Sequence, residues 1–386
     1  MISKNGTIKS LQSIGFSMLP FLRADVANLK AYKPHPPMPK PYDQLDTNES
    51  PIDLPDDVKA SLAASYQQAI AANRYPDGGH TALKQAIANY VAESSTDSVV
   101  INADSISVGN GSDELIRSLL IAAALGNGSI LVASPTFSMY GILAQTLGIP
   151  VIDIGRQDNF CINLEEAQTA MEQHAIRVVF MVHPNSPTAN PLTTEEIAWL
   201  RQLPNDVLVV IDEAYFEFSR HTLVPDSLSR SNWVVLRTFS KAFRLAAHRI
   251  GYAVAQPALI EALEKVRLPY NLPSFSQVAA LTALAHRASL LNAIQVTIAE
   301  RQIMIDWLKQ QPMLTLWPSK ANFIYCRLSD PGLSQWGMSQ AEGLQHIFSA
   351  LRQQGTLIRY TGGGLRISLG TPEENQRTRK NLESLW

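Results

Sequence analysis

The stretch RTFSKAFRLAAHRIGYAV, residues 237–254, joins two apolar runs through a segment of helix formers. It completes the apolar, β-branched run WVVL, which is typical of a buried strand, and then changes to helix formers before a second apolar run, RIGYAV. We therefore predict a strand, a helix and a second strand. A single lysine, Lys241, stands where the first strand ends. The rest of the chain has to supply a reason for a cation at that point.

The same alternation of strand and helix runs through the preceding sequence. The apolar runs SISVGNG, SILVASP and IRVVFMVHPN are each followed by a segment of helical periodicity, and DVLVVIDEAY adds a further strand. Short strands that alternate with helices indicate βαβ units, and hence an α/β fold with a mainly parallel sheet flanked by helices. The strand runs are almost unbroken in their apolar character because helices cover both faces of such a sheet. Ligands of these folds bind beyond the carboxyl ends of the strands.

The sequence changes character after residue 275. A long helical stretch through AERQIMIDWLKQ precedes separated strand patterns in NFIYCRL, TLIRYT and LRISLG, and the run TPEEN has the spacing of a capped helix start. We predict three parts. Residues 1–45 form an N-terminal arm that contributes to a small domain, residues 46–275 form the large ligand-binding domain, and residues 276–386 complete the small α+β domain.

The composition argues against several classes of function. The net charge is −2, whereas a nucleic-acid-binding protein usually has a basic surface. No run approaches the roughly 18 apolar residues of a membrane span, and the N-terminus lacks the pattern of a signal peptide. The two cysteines, Cys161 and Cys326, lie in apolar surroundings and indicate inert thiols in a reducing compartment. We expect a cytoplasmic protein without nucleic-acid or membrane partners and without a metal site.

Two segments at predicted strand ends carry candidate binding residues. In GNGSDE, Ser112 and Asp113 open a helix whose exposed N–H groups can bind a phosphate, although ordinary glycine turns before helices have the same pattern. In VVIDEAYFEF, an apolar strand delivers Asp212. This aspartate could bind magnesium in an ATPase, pair with a cationic heterocycle or cap the following turn. The ATPase is excluded because the chain has no G-x-x-x-x-G-K-[ST] run.

Lys241 supplies the third element of the predicted site. A desolvated lysine near positive charge has a lowered pKa and can act as a Schiff-base nucleophile, whereas a solvated lysine at a strand end would have no such role. Ser240 and Arg249 nearby can bind a phosphate. Pyridoxal phosphate needs all of these groups together. Its aldehyde takes a lysine, its ring nitrogen a carboxylate, and its phosphate a helix N-terminus with an arginine.

The blocks that carry these residues also resemble a known family. TFSKAFRLAAHRIGY, VVIDEAYFEF, HPNSPTANP, GNGSDE and SPTFSMY look like the conserved blocks of the fold-type I aminotransferases, which depend on pyridoxal phosphate. Among them the histidinol-phosphate aminotransferase family is most similar. The resemblance extends from LDTNESP to LRISLGTPEENQRT, nearly the whole chain. It implies the fold of the type I pyridoxal-phosphate-dependent transferases.

The resemblance implies a role for each residue around the cofactor ring. Lys241 would form the Schiff base and, once released, move the Cα proton of the substrate. Asp212 would pair with the pyridine nitrogen and keep it protonated. Asn185 and Tyr215 would hydrogen-bond the ring hydroxyl oxygen, with Tyr215 counted among the catalytic residues. Phe137 would stack on the ring.

The resemblance also implies how the cofactor phosphate is held. The backbone amides of Ser112 and Asp113 would bind it together with the side chains of Ser240 and Arg249. Tyr75, in NRYPDGG, is similar to a family tyrosine that reaches the phosphate of the neighbouring subunit. The resemblance therefore implies a homodimer with shared active sites.

The substrate follows from the same resemblance. Arg359 and Arg366 resemble two arginines that bind the phosphate of L-histidinol phosphate, and Arg366 would take the carboxylate of glutamate or 2-oxoglutarate in the other half-reaction. Tyr32 in the N-terminal arm and Asn185 would complete the substrate site. The expected reaction transfers the amino group from L-histidinol phosphate to 2-oxoglutarate, or from L-glutamate to imidazole acetol phosphate in reverse, within L-histidine biosynthesis.

Two alternatives share the same cofactor site. An aromatic amino-acid aminotransferase would use Arg366 for the substrate carboxylate. A phosphothreonine decarboxylase would catalyse a different class of reaction that needs no amino acceptor. A transcription regulator with an aminotransferase-like domain would require a basic helix-turn-helix ahead of these blocks, and the proline-rich N-terminal segment is too short for one.

Overall fold

A computed structural model of the chain describes residues 19, 21–29, 42–95 and 100–386. Tyr32, which was predicted to contact substrate, lies outside the described residues. The helices are α1 Ala24–Ala27, α2 Asp56–Gln68, α3 Thr81–Ser94, α4 Gly111–Ala123, α5 Met139–Thr146, α6 Leu164–Gln173, α7 Thr194–Gln202, α8 Phe216–Ser219, α9 Val224–Ser229, α10 Pro257–Val266, α11 Ser274–Ala285, α12 Arg287–Asn292, α13 Ile294–Leu308, α14 Asp330–Trp336, α15 Gln340–Gln353 and α16 Pro372–Glu383.

The strands form one large sheet and two smaller ones. They are β1 Asp43–Gln44, β2 Ile106–Asn110, β3 Ser129–Ser134, β4 Val151–Gly155, β5 Ile176–Val182, β6 Leu208–Asp212, β7 Trp233–Thr238, β8 Ile250–Ala255, β9 Leu314–Leu316, β10 Phe323–Leu328, β11 Thr356–Leu357, β12 Arg359–Thr361 and β13 Gly364–Ser368. The seven-stranded sheet has the order β2-β8-β7-β6-β5-β3-β4. All its pairs are parallel except those of β8 with β2 and with β7. The predicted α/β fold with a mainly parallel sheet is confirmed.

Both faces of the large sheet are covered. Val179 and Met181 of β5 pack into one hydrophobic cluster, whereas Val178 and Phe180 pack into the cluster on the opposite face. This division of successive residues explains why the central strands are apolar throughout. Strand β4 was not predicted from the sequence. It lies at the edge of the sheet, where Ile154 is its only buried residue, so its sequence lacks the continuous apolar run of a central strand.

The helix predicted after Lys241 is wrong. Residues 239–245 form turns, and only a short 3-10 helix, Ala246–His248, follows them. Arg244 and Arg249 have φ angles of 60° and 52°, which lie in the left-handed region and interrupt any α-helix. The N–H of Leu245 donates to the carbonyl of Phe239, six residues earlier in the chain. Packing of these residues into the core overrides the helix propensity of the segment.

The small sheet is built from the C-terminal part of the chain. It has the order β12-β13-β10-β9, and a separate two-stranded sheet pairs β1 with β11, so residues 43–44 join the C-terminal part of the chain. The long predicted helical stretch consists of three helices, α11, α12 and α13. The predicted start of α16 is confirmed, because Thr371 and Glu374 form a capping box with Pro372 at the first helical position. The division at residues 45 and 275 stays a prediction.

Among the helices of the described ranges, none has both the length and the apolarity that crossing a bilayer requires.

Candidate active site

The predicted site residues lie at the carboxyl ends of adjacent strands. Asp212 is the last residue of β6, Asn185 follows the end of β5, and Lys241 follows the end of β7. Strands β5, β6 and β7 are neighbours and parallel, so these three chain positions share one edge of the sheet. This is the edge at which ligands of open α/β sheets bind.

Lys241 has the properties of an amine nucleophile. Its Nζ donates a hydrogen bond to the carbonyl oxygen of Thr47 at 2.7 Å. The pKa of Lys241 is lowered to about 8, chiefly by burial. The positive charges of Arg366 and Arg249 also lower it, whereas Glu49 and Asp113 act in the opposite direction. Near physiological pH, the neutral form of the Lys241 amine is therefore more populated than that of an ordinary lysine. Only the neutral amine attacks an aldehyde.

Asp212 is a buried carboxylate with a raised pKa. Its side chain is 3% exposed, and burial raises its pKa to about 6 despite two hydrogen bonds. Tyr140 Oη donates to Oδ2 at 2.7 Å, and the N–H of Ala214 donates to Oδ1 at 3.0 Å. A cationic ring nitrogen beside this carboxylate would offset its burial and be kept protonated by it.

Tyr140 was missed by the sequence reasoning. The residue is fully buried, stacks on Phe180 with ring centroids 4.6 Å apart, and meets the ring of Phe137 edge-on at 5.5 Å. It therefore contacts both Asp212 and the aromatic residue predicted to cover the cofactor ring. The only signal in the sequence was its place in SPTFSMY, three residues after Phe137.

The start of α4 and Arg249 form the predicted phosphate cup. Arg249 Nη1 lies 3.4 Å from Ser240 Oγ, and Nη2 lies 3.4 Å from Asp113 Oδ2. Gly111 opens the helix with a φ of 74°, and a Cβ at this position would lie 2.6 Å from Arg249 Nη2. A residue with a side chain would be strained at this φ and would displace the guanidinium, so glycine suits the position and lets Arg249 lie beside the start of the helix.

Asn185 is held differently from the expectation. Its Nδ2 donates to the carbonyl of Pro135 at 3.0 Å and to Thr188 Oγ1 at 2.6 Å, while its Oδ1 accepts from Thr136 Oγ1. Both amide hydrogens are therefore used within the protein. A contact of Asn185 with the cofactor ring oxygen requires one of these hydrogen bonds to be exchanged, and the assignment stays a prediction.

Tyr215 is buried and contacts Asn48, a residue to which sequence reasoning assigned no role. Its Oη accepts a hydrogen bond from Nδ2 of Asn48 at 2.9 Å. Asn48 is 1% exposed and also bonds Ser368 in β13. It belongs to the block LDTNESP, whose similarity to the family was the only available signal.

The two predicted substrate arginines are direct neighbours in the small sheet. Arg359 of β12 and Arg366 of β13 are paired residues of antiparallel strands, so their side chains leave the same face of the sheet. Arg366 donates to Ser186 Oγ at 3.2 Å and to the carbonyl of Asp46, and its guanidinium lies 5.5 Å from the ring centre of Phe323. Its positive charge lowers the pKa of Lys241.

Tyr75 lies on the surface of the chain, with 82% of its area exposed. Its ring stacks on that of Tyr270, with the centroids 4.7 Å apart. Tyr270 is itself 48% exposed, and Phe275 five residues later is 38% exposed and touches Tyr66. The loop that carries Tyr75 therefore belongs to an exposed aromatic surface.

The residues fit pyridoxal phosphate. The start of α4 and the guanidinium of Arg249 can bind the phosphate. The buried carboxylate of Asp212 can pair with the cationic ring nitrogen, and the amine of Lys241, with its lowered pKa, can attack the aldehyde. Each of these protein groups can bind one functional group of the cofactor.

Comparison with known proteins gives the family. The family model of the class I and II aminotransferases matches residues 42–382. The chain is 57% identical over 379 residues to histidinol-phosphate aminotransferase 2 of Nostoc sp., covering 95% of this chain and 98% of that protein. It is 55% identical over 377 residues to histidinol-phosphate aminotransferase of Trichodesmium erythraeum, covering 96% of this chain and all, 100%, of that protein.

A solved structure supports the fold. The crystal structure of histidinol-phosphate aminotransferase from Sinorhizobium meliloti in complex with pyridoxal-5'-phosphate superposes with a TM-score of 0.81 at 22% identity, covering 96% of this chain and 100% of that one. The predicted type I fold and pyridoxal phosphate dependence are confirmed. The chain belongs to the class I and II aminotransferases, and within them to the histidinol-phosphate aminotransferase family.

Proposed function

We propose that this chain transfers the amino group between L-histidinol phosphate and 2-oxoglutarate, yielding imidazole acetol phosphate and L-glutamate, in L-histidine biosynthesis. The observation that carries the choice of substrate is the pairing of Arg359 with Arg366 across β12 and β13. Two guanidinium groups on one face of a sheet suit a phosphate ester with two negative charges better than a single carboxylate, because they offer it more charge-assisted hydrogen bonds.

The protein groups around the cofactor divide the work. Bound pyridoxal phosphate supplies an electron sink for the negative charge that develops at the substrate Cα. The neutral amine of Lys241 moves the Cα proton, for which its lowered pKa is suited. Asp212 holds the proton on the ring nitrogen, and Tyr140 and the Ala214 amide hold Asp212 in place. Arg249 and the amides at the start of α4 anchor the phosphate.

Arg366 is proposed to serve both half-reactions. It would bind the phosphate of histidinol phosphate together with Arg359, and the carboxylate of glutamate or 2-oxoglutarate afterwards. Ser186 and the Asp46 carbonyl fix its guanidinium in the site before substrate arrives. Such preorganisation reduces the entropy lost on binding.

The chain is proposed to act as a homodimer in the cytoplasm. Tyr75 and Tyr270 form an exposed stacked pair, and a second copy that covered them would remove a large aromatic surface from water. In that dimer, Tyr75 would donate to the cofactor phosphate of the partner. The two cysteines are not bonded to each other, in keeping with a reducing compartment.

One experiment separates the proposal from its alternatives. The purified, cofactor-loaded protein is mixed with L-histidinol phosphate, L-phenylalanine or O-phosphothreonine at equal concentrations, and the loss of the visible cofactor absorbance is followed. We expect fast conversion with histidinol phosphate alone and recovery of the absorbance when 2-oxoglutarate is added. Preference for phenylalanine would contradict the proposed substrate, and release of CO2 from phosphothreonine would indicate the decarboxylase. The variant Lys241→Ala is the control that turns over none of them.

A further inference from the structure

The segment of residues 46–48 contacts the active site at each position in turn. It supplies two carbonyl oxygens and one side chain to three residues of the site, which are Arg366 on Asp46 O, Lys241 on Thr47 O and Tyr215 on Asn48 Nδ2. Asn48 differs from the two preceding residues because it acts through its side chain. It is therefore the position of this segment at which residue type controls the chemistry of the contact.

The hydrogen bonds of Ser368 fix the orientation of the Asn48 amide. The backbone N–H of Asn48 donates to Ser368 Oγ at 3.0 Å, and the hydroxyl of Ser368 donates back to Asn48 Oδ1 at 2.8 Å. Ser368 is 2% exposed, and within the described chain its Oγ bonds only Asn48. Turning the amide over would leave the buried hydroxyl hydrogen without an acceptor, which is costly. Nδ2 consequently faces Tyr215.

This orientation decides what the Tyr215 hydroxyl can do. An amide nitrogen donates hydrogen bonds and accepts none, so Tyr215 Oη is the acceptor in its 2.9 Å contact with Asn48. The phenolic hydrogen must then point elsewhere. An accepted hydrogen bond also polarises the hydroxyl and makes it a better donor.

We propose that Asn48 is a positioning residue that makes Tyr215 a hydrogen-bond donor to the ring oxygen of the cofactor. The inference rests on the proposed placement of Tyr215 at that oxygen. It assigns to the block LDTNESP a role in tuning the cofactor, in addition to its backbone contacts with Lys241 and Arg366.

The backbone at this position explains why the residue is asparagine. Asn48 has a φ of 57°, in the left-handed region where asparagine is tolerated better than other residues with a side chain. Its carbonyl accepts from Nδ2 of the buried Asn322 at 3.0 Å, which holds the turn. Glycine would permit the same turn, but it would leave the Tyr215 hydroxyl without its donor. Aspartate would fit the space and accept from Tyr215 instead.

The test is a pH titration of the visible absorbance of the cofactor-loaded protein. The absorbance transition reports loss of the proton on the Schiff-base nitrogen of Lys241, which is hydrogen-bonded to the ring oxygen. A second donor to that oxygen weakens this hydrogen bond. Losing the donor therefore strengthens the hold on the proton and raises the pH of the transition. We expect Asn48→Asp to raise it by about one pH unit or more, because the phenolic hydrogen is then given to the aspartate. Asn48→Ala should raise it by a smaller amount, because the hydroxyl keeps its hydrogen and loses only the polarising donor. In a Tyr215→Phe background the Asn48→Ala shift should vanish, and the Asn48→Asp shift should fall to what the added charge alone produces.

The Tyr215→Phe background separates a failure of the proposed role of Asn48 from a failure of the proposed placement of Tyr215. If Tyr215→Phe shifts the transition but the Asn48 variants shift it equally with and without the hydroxyl, Asn48 does not act through Tyr215, and the inference is overturned while the placement of Tyr215 stands. If Tyr215→Phe leaves the transition unchanged, both fail. Asn232→Asp is the control, because Asn232 is buried and, among the described residues, its Nδ2 donates to the backbone carbonyls of Pro204 and Val207, at the opposite end of β6 from Asp212. It should leave the transition where it is.

Discussion

Replacing Asp212 with asparagine should stabilise the cofactor-free protein while it weakens the complex with pyridoxal phosphate. The carboxylate is 3% exposed, and burial raises its pKa from 3.8 to about 6. Asparagine has nearly the same shape. It can accept from the Ala214 N–H and donate to Tyr140 Oη, but the buried phenolic hydrogen of Tyr140 then loses its acceptor, which costs about 1–3 kcal/mol. The substitution therefore removes the pH-dependent cost of the buried charge and adds a pH-independent cost at Tyr140.

The magnitude and its pH dependence follow from the raised pKa of Asp212. The folded protein binds this proton more tightly than the unfolded chain does. The carboxyl therefore costs no stability below about pH 4, costs progressively more as the pH rises through about 6, and costs a constant amount above that. A rise from 3.8 to about 6 corresponds to about 3 kcal/mol of unfolding free energy, of which about 1.4 kcal/mol develops between pH 5 and pH 8.

Urea unfolding of the cofactor-free proteins at pH 5 and pH 8 measures this difference. We expect the stability of Asp212→Asn relative to the parent to rise by about 1.4 kcal/mol from pH 5 to pH 8, and to exceed the parent at pH 8 by up to about 2 kcal/mol once the cost at Tyr140 is subtracted. With pyridoxal phosphate bound, the variant should be the less stable protein, because asparagine leaves the pyridinium unpaired. An affinity loss of more than about 100-fold removes more than about 2.7 kcal/mol of stabilisation at saturating cofactor. Asp153→Asn, which changes an exposed carboxylate bonded to Ser134, is the control and should show neither effect. A stability gain of equal size at both pH values would refute the reasoning.

Three further outcomes test the rest of the site. Uptake of pyridoxal phosphate by the cofactor-free protein should accelerate with pH, with a midpoint near pH 8, where half of Lys241 is neutral, and level off above about pH 9. Arg366→Gln should move this midpoint to higher pH, and an unmoved midpoint in stopped-flow absorbance would contradict the charge effect. Arg359→Ala should weaken L-histidinol phosphate by about 100-fold in half-reaction titrations and glutamate far less, whereas equal losses would mean that it is no phosphate ligand. Tyr75→Phe should raise the cofactor dissociation constant by at least about tenfold in equilibrium dialysis while Tyr270→Phe, which keeps the stacked ring, leaves it unchanged; equal behaviour would remove Tyr75 from the shared site.

The sequence predicted the parts of the site that depend on local pattern. Asp212 ends an apolar strand, Ser112 opens a helix after a glycine turn, and Lys241 follows another apolar strand. In a parallel sheet these signals are sufficient, because strand ends meet at one edge whatever lies between them. The central strands were found for the same reason, since burial on both faces makes each of them a continuous apolar run.

The residues that were missed are those defined by contacts between distant segments. Tyr140 meets Asp212 across 72 positions, and Asn48 meets Tyr215 across 167. Neither has a local pattern that sets it apart from an ordinary core tyrosine or turn asparagine. The wrong helix after Lys241 has a similar cause, because helix formers there are forced into left-handed turns at Arg244 and Arg249 by tertiary packing. Those turns carry Arg249 to the phosphate cup, so the departure from propensity serves the site.

The perturbed groups of the site explain one another only when the cofactor is considered. Burial raises the pKa of Asp212 and lowers the pKa of Lys241. The charged form of each side chain therefore lowers the free energy of unfolding when the cofactor is absent. Apolar side chains of similar size at both positions would cost the folded protein less stability. A ligand that brings a cationic nitrogen to the carboxylate and a carbon for the neutral amine to attack relieves both penalties at once. The binding free energy of pyridoxal phosphate therefore includes the relief of penalties already present in the folded protein, and the Asp212→Asn comparison measures one of them separately.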